Sequence, residues 1–222
     1  MLGMFINQAQ GVFMATEQLY PLSVYYLRVT LENSKPVIWR DILVPSDVTL
    51  ENLHYIIQTV MGWENSHEHH FIVEKVLYSN DTDRNNVDDD YGLLDTEELE
   101  KQNCNEKKYT LGSLLTKEGA SIVYEYDLGD SWTHQIELRK ILPVDANARQ
   151  PRCIKGEKAC PPEDCGGIWG YTDMLESLQD PENPEDTQIL TWFGEDFNPA
   201  HFDIEAINRT LRRLVVGDSD SE

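Results

Sequence analysis

Along residues 24–32 apolar and polar side chains alternate, with Tyr25, Leu27, Val29 and Leu31 on one side and Tyr26, Arg28, Thr30 and Glu32 on the other. A period of two residues is the mark of a half-buried strand. Asn33-Ser34-Lys35-Pro36 carries turn chemistry, and residues 37–44 resume the extended pattern with Ile38, Ile42 and Val44 on one face, so the two segments predict a hairpin. The period then changes. Leu50, Leu53, Ile56, Ile57, Val60 and Met61 recur at helical spacing, with Thr49 placed to cap the helix and Gly62 to stop it. Residues 69–78 read as a third strand. Residues 111–115 suit a short helical turn. Residues 121–127 and 132–141 predict a second hairpin, closed tightly through Leu128-Gly129-Asp130-Ser131.

Residues 143–170 are rich in Pro, Gly and Cys and read as ordered but irregular. A helix is expected over 172–179 before Pro181, and a short one around Ile189, Leu190 and Trp192. The last helix should span 203–214, with Ile204, Ile207, Leu211 and Leu214 as its buried stripe. Strands that arrive as hairpins give a largely antiparallel sheet. The expected class is therefore α+β: one domain over residues 21–216, built from two hairpins plus one further strand and packed by helices. Residues 1–20 form a lead-in and 217–222 an acidic tail.

Charge changes this picture most. Forty Asp and Glu oppose 18 Lys and Arg, a formal net charge of -22. Phosphate-backbone binding works by releasing counterions against Lys and Arg, so direct non-specific nucleic-acid binding is disfavoured; the acidic surface serves solubility first, and alternatively meets a basic protein partner or imitates nucleic acid. Residues 80–106 concentrate the effect, with ten acidic residues against Arg84 and Lys101, and read as a solvated excursion. No apolar run approaches the roughly 20 residues of a membrane span. The N-terminus has no Lys or Arg ahead of its apolar stretch, and four cysteines are few for a disulfide scaffold. Together these predict a cytoplasmic protein with reduced thiols.

Candidate chemistry falls in three places. The hairpin segment from Tyr124 to His134 brings together Asp127, Asp130, Trp132 and His134. Two carboxylates and an imidazole there can ligate a metal or act as acid and base, or the carboxylates can simply satisfy turn backbone while His134 packs against Ile136 and Leu138. Cys153, Cys160 and Cys165 lack paired knuckle spacing, so they suit either a proline-stiffened loop or, with His134, a loose zinc set. Glu163 and Asp164 in the same loop are candidate catalytic groups. His67, His69 and His70 can supply imidazoles, with His67 and His69 on one side and His70 on the other. The metal candidates are thus Asp127, Asp130, His134, His69, Cys160 and Cys165, for a divalent ion such as zinc. Asp127, Asp130, Trp132, His134, Cys160, Glu163 and Asp164 would line a pocket. Asp81, Asp83 and Asn85 open like a calcium loop, but Gly92 stands where that loop needs a bidentate Glu. Gly166, Gly167 and Gly170 could form a backbone nest, without any nucleotide-binding fingerprint around them. No nucleophile elbow or HExxH motif is present.

Several of these blocks resemble the plasmid pRiA4b ORF-3-like family. Leu53, His54 and Gln58 with Met61-Gly62-Trp63 look like its helix signature, and Tyr126-Asp127-Leu128-Gly129-Asp130-Ser131-Trp132-Thr133-His134 resembles its YDFGDxWxH block, with Leu128 where Phe is usual. Gly156 through Cys160, Glu163 and Asp164 to Gly167, then Gly170-Tyr171, are similar to its third block, and Phe202, Asp203 and Asn208 fit its end. The resemblance implies an α+β fold and an association with plasmids and insertion elements. A resolvase-like label used for some members sits badly with a charge of -22. Two functions follow as expectations: a non-catalytic accessory or binding domain, and alternatively a metal-dependent hydrolase of phosphodiester type using Asp127, Asp130, His134 and Glu163.

Overall fold

The computed structural model describes residues 22–80, 103–144, 150–178 and 197–214. Eight strands form one sheet in the order β5-β4-β3-β6-β7-β1-β2-β8. β1 (Val24–Leu31) and β2 (Ile38–Pro45) make the first expected hairpin, in register from Val24 opposite Pro45 to Leu31 opposite Ile38. β6 (Ser121–Tyr126) and β7 (Trp132–Leu142) make the second, and β7 also pairs with β1, joining the two hairpins at the middle of the sheet. The α+β, mostly antiparallel class is borne out.

The periodicity reading of β1 holds in detail: Tyr25, Leu27, Val29 and Leu31 are all buried. On β7, Trp132, His134, Ile136 and Leu138 share the same inward face, each at most 1% exposed. Against that face lies α1 (Leu50–Met61), opened by the Thr49 side chain accepting from the Asn52 N–H and closed by Gly62 at φ 93°, as expected from both residue types. A short 3-10 turn (Glu106–Lys108) and α2 (Leu111–Leu114) close over one end of it. The opposite face of the sheet is polar at its centre, where Arg28 makes a bidentate pair with Asp41 and Tyr26 donates to the same carboxylate. Burial alone would raise the Asp41 pKa; the bonds from Arg28 and Tyr26 more than offset it and leave it lowered.

Three strand expectations need correction. The single strand expected over 69–78 is a hairpin, β3 (His69–Val73) and β4 (Val76–Ser79), turning at Glu74 with φ 58°. The excursion's last residues are not solvated: β5 (Asn103–Asn105) adds to β4 as the one parallel pair, and Glu106 is 1% exposed. The segment read as irregular contains β8 (Arg152–Glu157), an edge strand on β2. Residues 81–102, including the calcium-like segment, and 179–196, including the short helix around Leu190, lie outside the described residues, as do the lead-in and tail.

Two helices complete the core. α3 (Gly167–Ser177) begins five residues earlier than its periodicity suggested, and α4 (Ile204–Leu214) starts after Asp203, whose carboxylate caps the Glu205 and Ala206 N–H groups. Of the stripe expected on α4, Leu211 is fully buried while Leu214 is 39% exposed. Asn208 accepts from the Cys153 N–H and donates to its carbonyl, which fastens α4 to β8. Arg40 projects inward from β2 and gives N–H groups to the carbonyls of Val60, Trp39, Glu157 and Lys158, with Phe202 over its guanidinium at 4.7 Å. Among the described residues no helix is long and apolar enough to cross a membrane.

Candidate functional site

The site is built outward from a buried phenol. Tyr124, on the inward face of β6, meets two side chains one turn apart on α1: the His54 Nδ1 at 2.8 Å and the Gln58 Nε2 at 3.1 Å. Both α1 residues also hold Asn65, through the His54 Nε2 at 2.7 Å and through the Gln58 Oε1 accepting from the Asn65 N–H. Burial, reinforced by the stacked His69 ring at 3.5 Å, lowers the His54 pKa to about 3, so this ring is neutral. The next residue, Ser66, donates its N–H to the Tyr126 hydroxyl. The 62–67 connection is thereby fixed, and it delivers His67 to the turn of the β6–β7 hairpin.

That hairpin is held by its own carboxylates. Asp127 sits at φ 55°, and its Oδ1 accepts from the N–H groups of Gly129 and Asp130. Asp and Asn tolerate the left-handed region better than other side chains, which explains an aspartate there. Asp130 reaches across to accept from the Gly166 N–H at 3.1 Å. The expected glycine nest therefore already has its anion, an internal one at the start of α3, where a carboxylate is favoured by the helix dipole. The fit is tight: a Cβ on Gly167 would lie 2.5 Å from the Asp130 carbonyl oxygen, and one on Gly170 would lie 1.8 Å from that of Cys165. Only glycine allows this turn to close on the hairpin.

The 160–167 loop forms the third wall. Trp63, stacked on Tyr126, donates its indole N–H to the Pro161 carbonyl, and Tyr126 donates its hydroxyl to Glu163. Burial and the neighbouring Glu163 carboxylate raise the Tyr126 pKa, so the phenol stays protonated. Asp164, at φ 57°, brings its Oδ1 to 3.0 Å from the His67 Nε2, and the Asp127 Oδ2 lies 3.5 Å from the same nitrogen. His67, Asp127 and Asp164 are the one grouping of metal-capable side chains among the described residues. Trp169, in the first turn of α3, is 76% exposed.

The sequence candidates divide between rim and core. Asp127 and Asp130 of the β6–β7 turn and Glu163 and Asp164 of the 160–167 loop lie at the rim. His134 does not join them: it lies in the core, 0% exposed, with its ring edge-on to Trp63 at 5.3 Å, and burial lowers its pKa to about 4. Trp132 is buried beneath the same Trp63 ring. His69 faces inward as well, stacked on His54 and 3.0 Å from Glu106, while His70 faces the other way, 3.0 Å from Glu125. The cysteines are free thiols outside the grouping; burial pushes Cys165 up to about 12 and Cys153 to about 11, and it raises Cys160 as well. Such thiols are protonated at neutral pH and are poor nucleophiles. His67 was visible in the sequence as one of three neighbouring histidines. What singles it out is a contact of high sequence separation, to Asp164, that no local pattern encodes.

Comparison with known proteins supports the blocks quoted from the sequence. Residues 23–206 match the family described as plasmid pRiA4b ORF-3-like protein. The uncharacterized protein y4hQ of Sinorhizobium fredii is 32% identical over 196 residues, covering 87% of this chain and 93% of that protein. The crystal structure of a protein of unknown function, MM3350 from Methanosarcina mazei Go1, superposes with a TM-score of 0.70 at 34% identity, covering 83% of this chain and 97% of that one. The chain belongs to the plasmid pRiA4b ORF-3-like family.

Proposed function

We propose that this chain is a non-catalytic accessory domain that captures a basic partner at the rim formed by the β6–β7 turn and the 160–167 loop. One observation carries the reading: Asp127, Asp130, Glu163 and Asp164 come from two segments far apart in sequence that are bonded to one another at this rim, and the helix that starts there carries Trp169, the most exposed large apolar side chain among the described residues. Carboxylates together with an exposed indole suit a guanidinium or ammonium group, which takes both ionic and cation–π contacts. The hydrolase reading draws less support. Glu163, its general base, is engaged by the Tyr126 hydroxyl, and Asp130 holds the start of α3.

The test uses a labelled oligo-arginine peptide followed by fluorescence anisotropy in the presence of chelator. Reversing Asp130 and Glu163 together to Lys should weaken the peptide about tenfold. Reversing Glu32 and Glu74, which are exposed and lie in the β1–β2 and β3–β4 turns, should weaken it much less. Equal losses from both pairs would mean that only the overall charge attracts the peptide, and the rim would have no special role.

A further inference from the structure

We infer that His67, Asp127 and Asp164 form a binding site for a divalent metal ion of the zinc or manganese type. The inference concerns the metal alone and stands whether or not a basic partner uses the rim. Its first support is the spacing around one nitrogen. The His67 Nε2 is 3.0 Å from the Asp164 Oδ1 and 3.5 Å from the Asp127 Oδ2. Ligand atoms around an ion with bonds of about 2.0–2.2 Å are separated by about 3.0 Å in octahedral and about 3.4 Å in tetrahedral geometry. The two distances to the nitrogen lie close to these edge lengths, and all three ligand atoms lie within 4.8 Å of one another.

The second support is direction. The Nε2 is shielded from solvent and, despite these short contacts, makes no hydrogen bond. A buried nitrogen that faces two carboxylate oxygens without bonding to either is accounted for if all three atoms address a common point. The third support is preorganisation. The Asp127 Oδ1 is held by two backbone N–H groups, which orients the carboxylate and leaves Oδ2 turned to His67.

Donor chemistry narrows the guest. One imidazole and two carboxylates suit Zn²⁺ or Mn²⁺, whereas soft ions would seek thiolate, and the Cys165 Sγ is turned to the Gly167 carbonyl at 3.9 Å. Three protein ligands leave at least one position for water or an incoming donor, as in open rather than structural sites. The Asp164 side chain is 71% exposed, so the ion can enter and leave by rotation of that residue. A dication also balances the two carboxylates, so a bound metal and a basic peptide should compete for the rim.

Chelator-washed protein should bind one Zn²⁺ per chain in calorimetric titration, and His67→Ala and Asp164→Asn should each weaken that binding about tenfold or more. Because Asp164 is exposed, its variant will stay folded, which a urea midpoint in chelator verifies. Substoichiometric Mn²⁺ added to the unaltered protein should broaden the amide resonances of residues 66–68, 127–131 and 163–167 before any others. Unchanged zinc affinity in both variants would overturn the site, as would broadening centred on another acidic stretch such as 80–106. Peptide capture is measured in chelator and metal binding without peptide, so either result can fail while the other stands.

Discussion

His54 and His134 show what burial does to a single ionisable side chain, and how it is read from outside. Both imidazoles sit in the core with pKa values lowered to about 3 and about 4, chiefly by loss of water. In the unfolded chain each returns to about 6.5. The unfolded state therefore binds more protons as pH drops below about 6.5, and stability must fall through the interval down to about 4, by up to about 1.4 kcal/mol per pH unit for each ring. Urea unfolding between about pH 7.5 and pH 5.5 should show this decline, and His134→Phe should remove about half of the slope. An unchanged slope in that variant would mean His134 is not buried as a neutral ring. At this scale the sequence was partly legible. The inward face shared by Trp132 and His134 follows from strand periodicity, and Asp127 does satisfy turn backbone, one of the two readings open for it, whereas Asp130 accepts from the distant Gly166 N–H. That His134 would lie under Trp63 rather than beside the carboxylates depends on how α1 crosses the sheet, which residue types alone do not specify.

Elements were legible where their stabilisation is local. α1 announces itself through cap, stripe and stop, and β1 through alternation, because each is fixed by its own residues. The β3–β4 turn escaped notice because Glu74-Lys75 has none of the glycine, asparagine or proline that marks a turn, yet Glu74 takes a positive φ. β5 is three residues of Asn-Cys-Asn held by a parallel neighbour, and parallel pairing leaves no short-range signal. β8 is an edge strand with Cys153 as its one fully buried residue, so it has little apolar alternation to detect. What fastens β8 is Arg40, whose N–H groups satisfy the Glu157 and Lys158 carbonyls while also bonding Val60 at the end of α1. Burial lowers the Arg40 pKa, but an arginine keeps its charge, and the four carbonyls supply its compensation. Arg40→Met should cost about 2–4 kcal/mol and speed hydrogen exchange across Arg152–Glu157, because those carbonyls lose their donors. Arg40→Lys should not restore protection, since one ammonium cannot reach all four. Unaltered exchange in β8 would refute this view of the joint.

The whole molecule carries a formal charge of -22, and like charges on a compact body repel. Raising salt from about 0.1 M to about 1 M shortens the screening length from about 10 Å to about 3 Å, so the thermal midpoint should rise by several degrees. A midpoint that falls on adding sodium chloride would show that ion pairs such as Arg28–Asp41 outweigh the repulsion. The sheet order has a separate consequence, in time rather than in energy. β1 lies between β2 and β7, and its partner for Val24 is Leu142. The first hairpin can close as soon as residues 24–45 leave the ribosome, yet one side of β1 must wait for more than half of the chain before its neighbour exists. Until β7 is made, that edge is an unpaired row of amides and carbonyls beside Leu27 and Val29, open to pairing with another chain. The first strand to form is thus among the last to be enclosed, and the nascent polypeptide is most vulnerable to association during that interval.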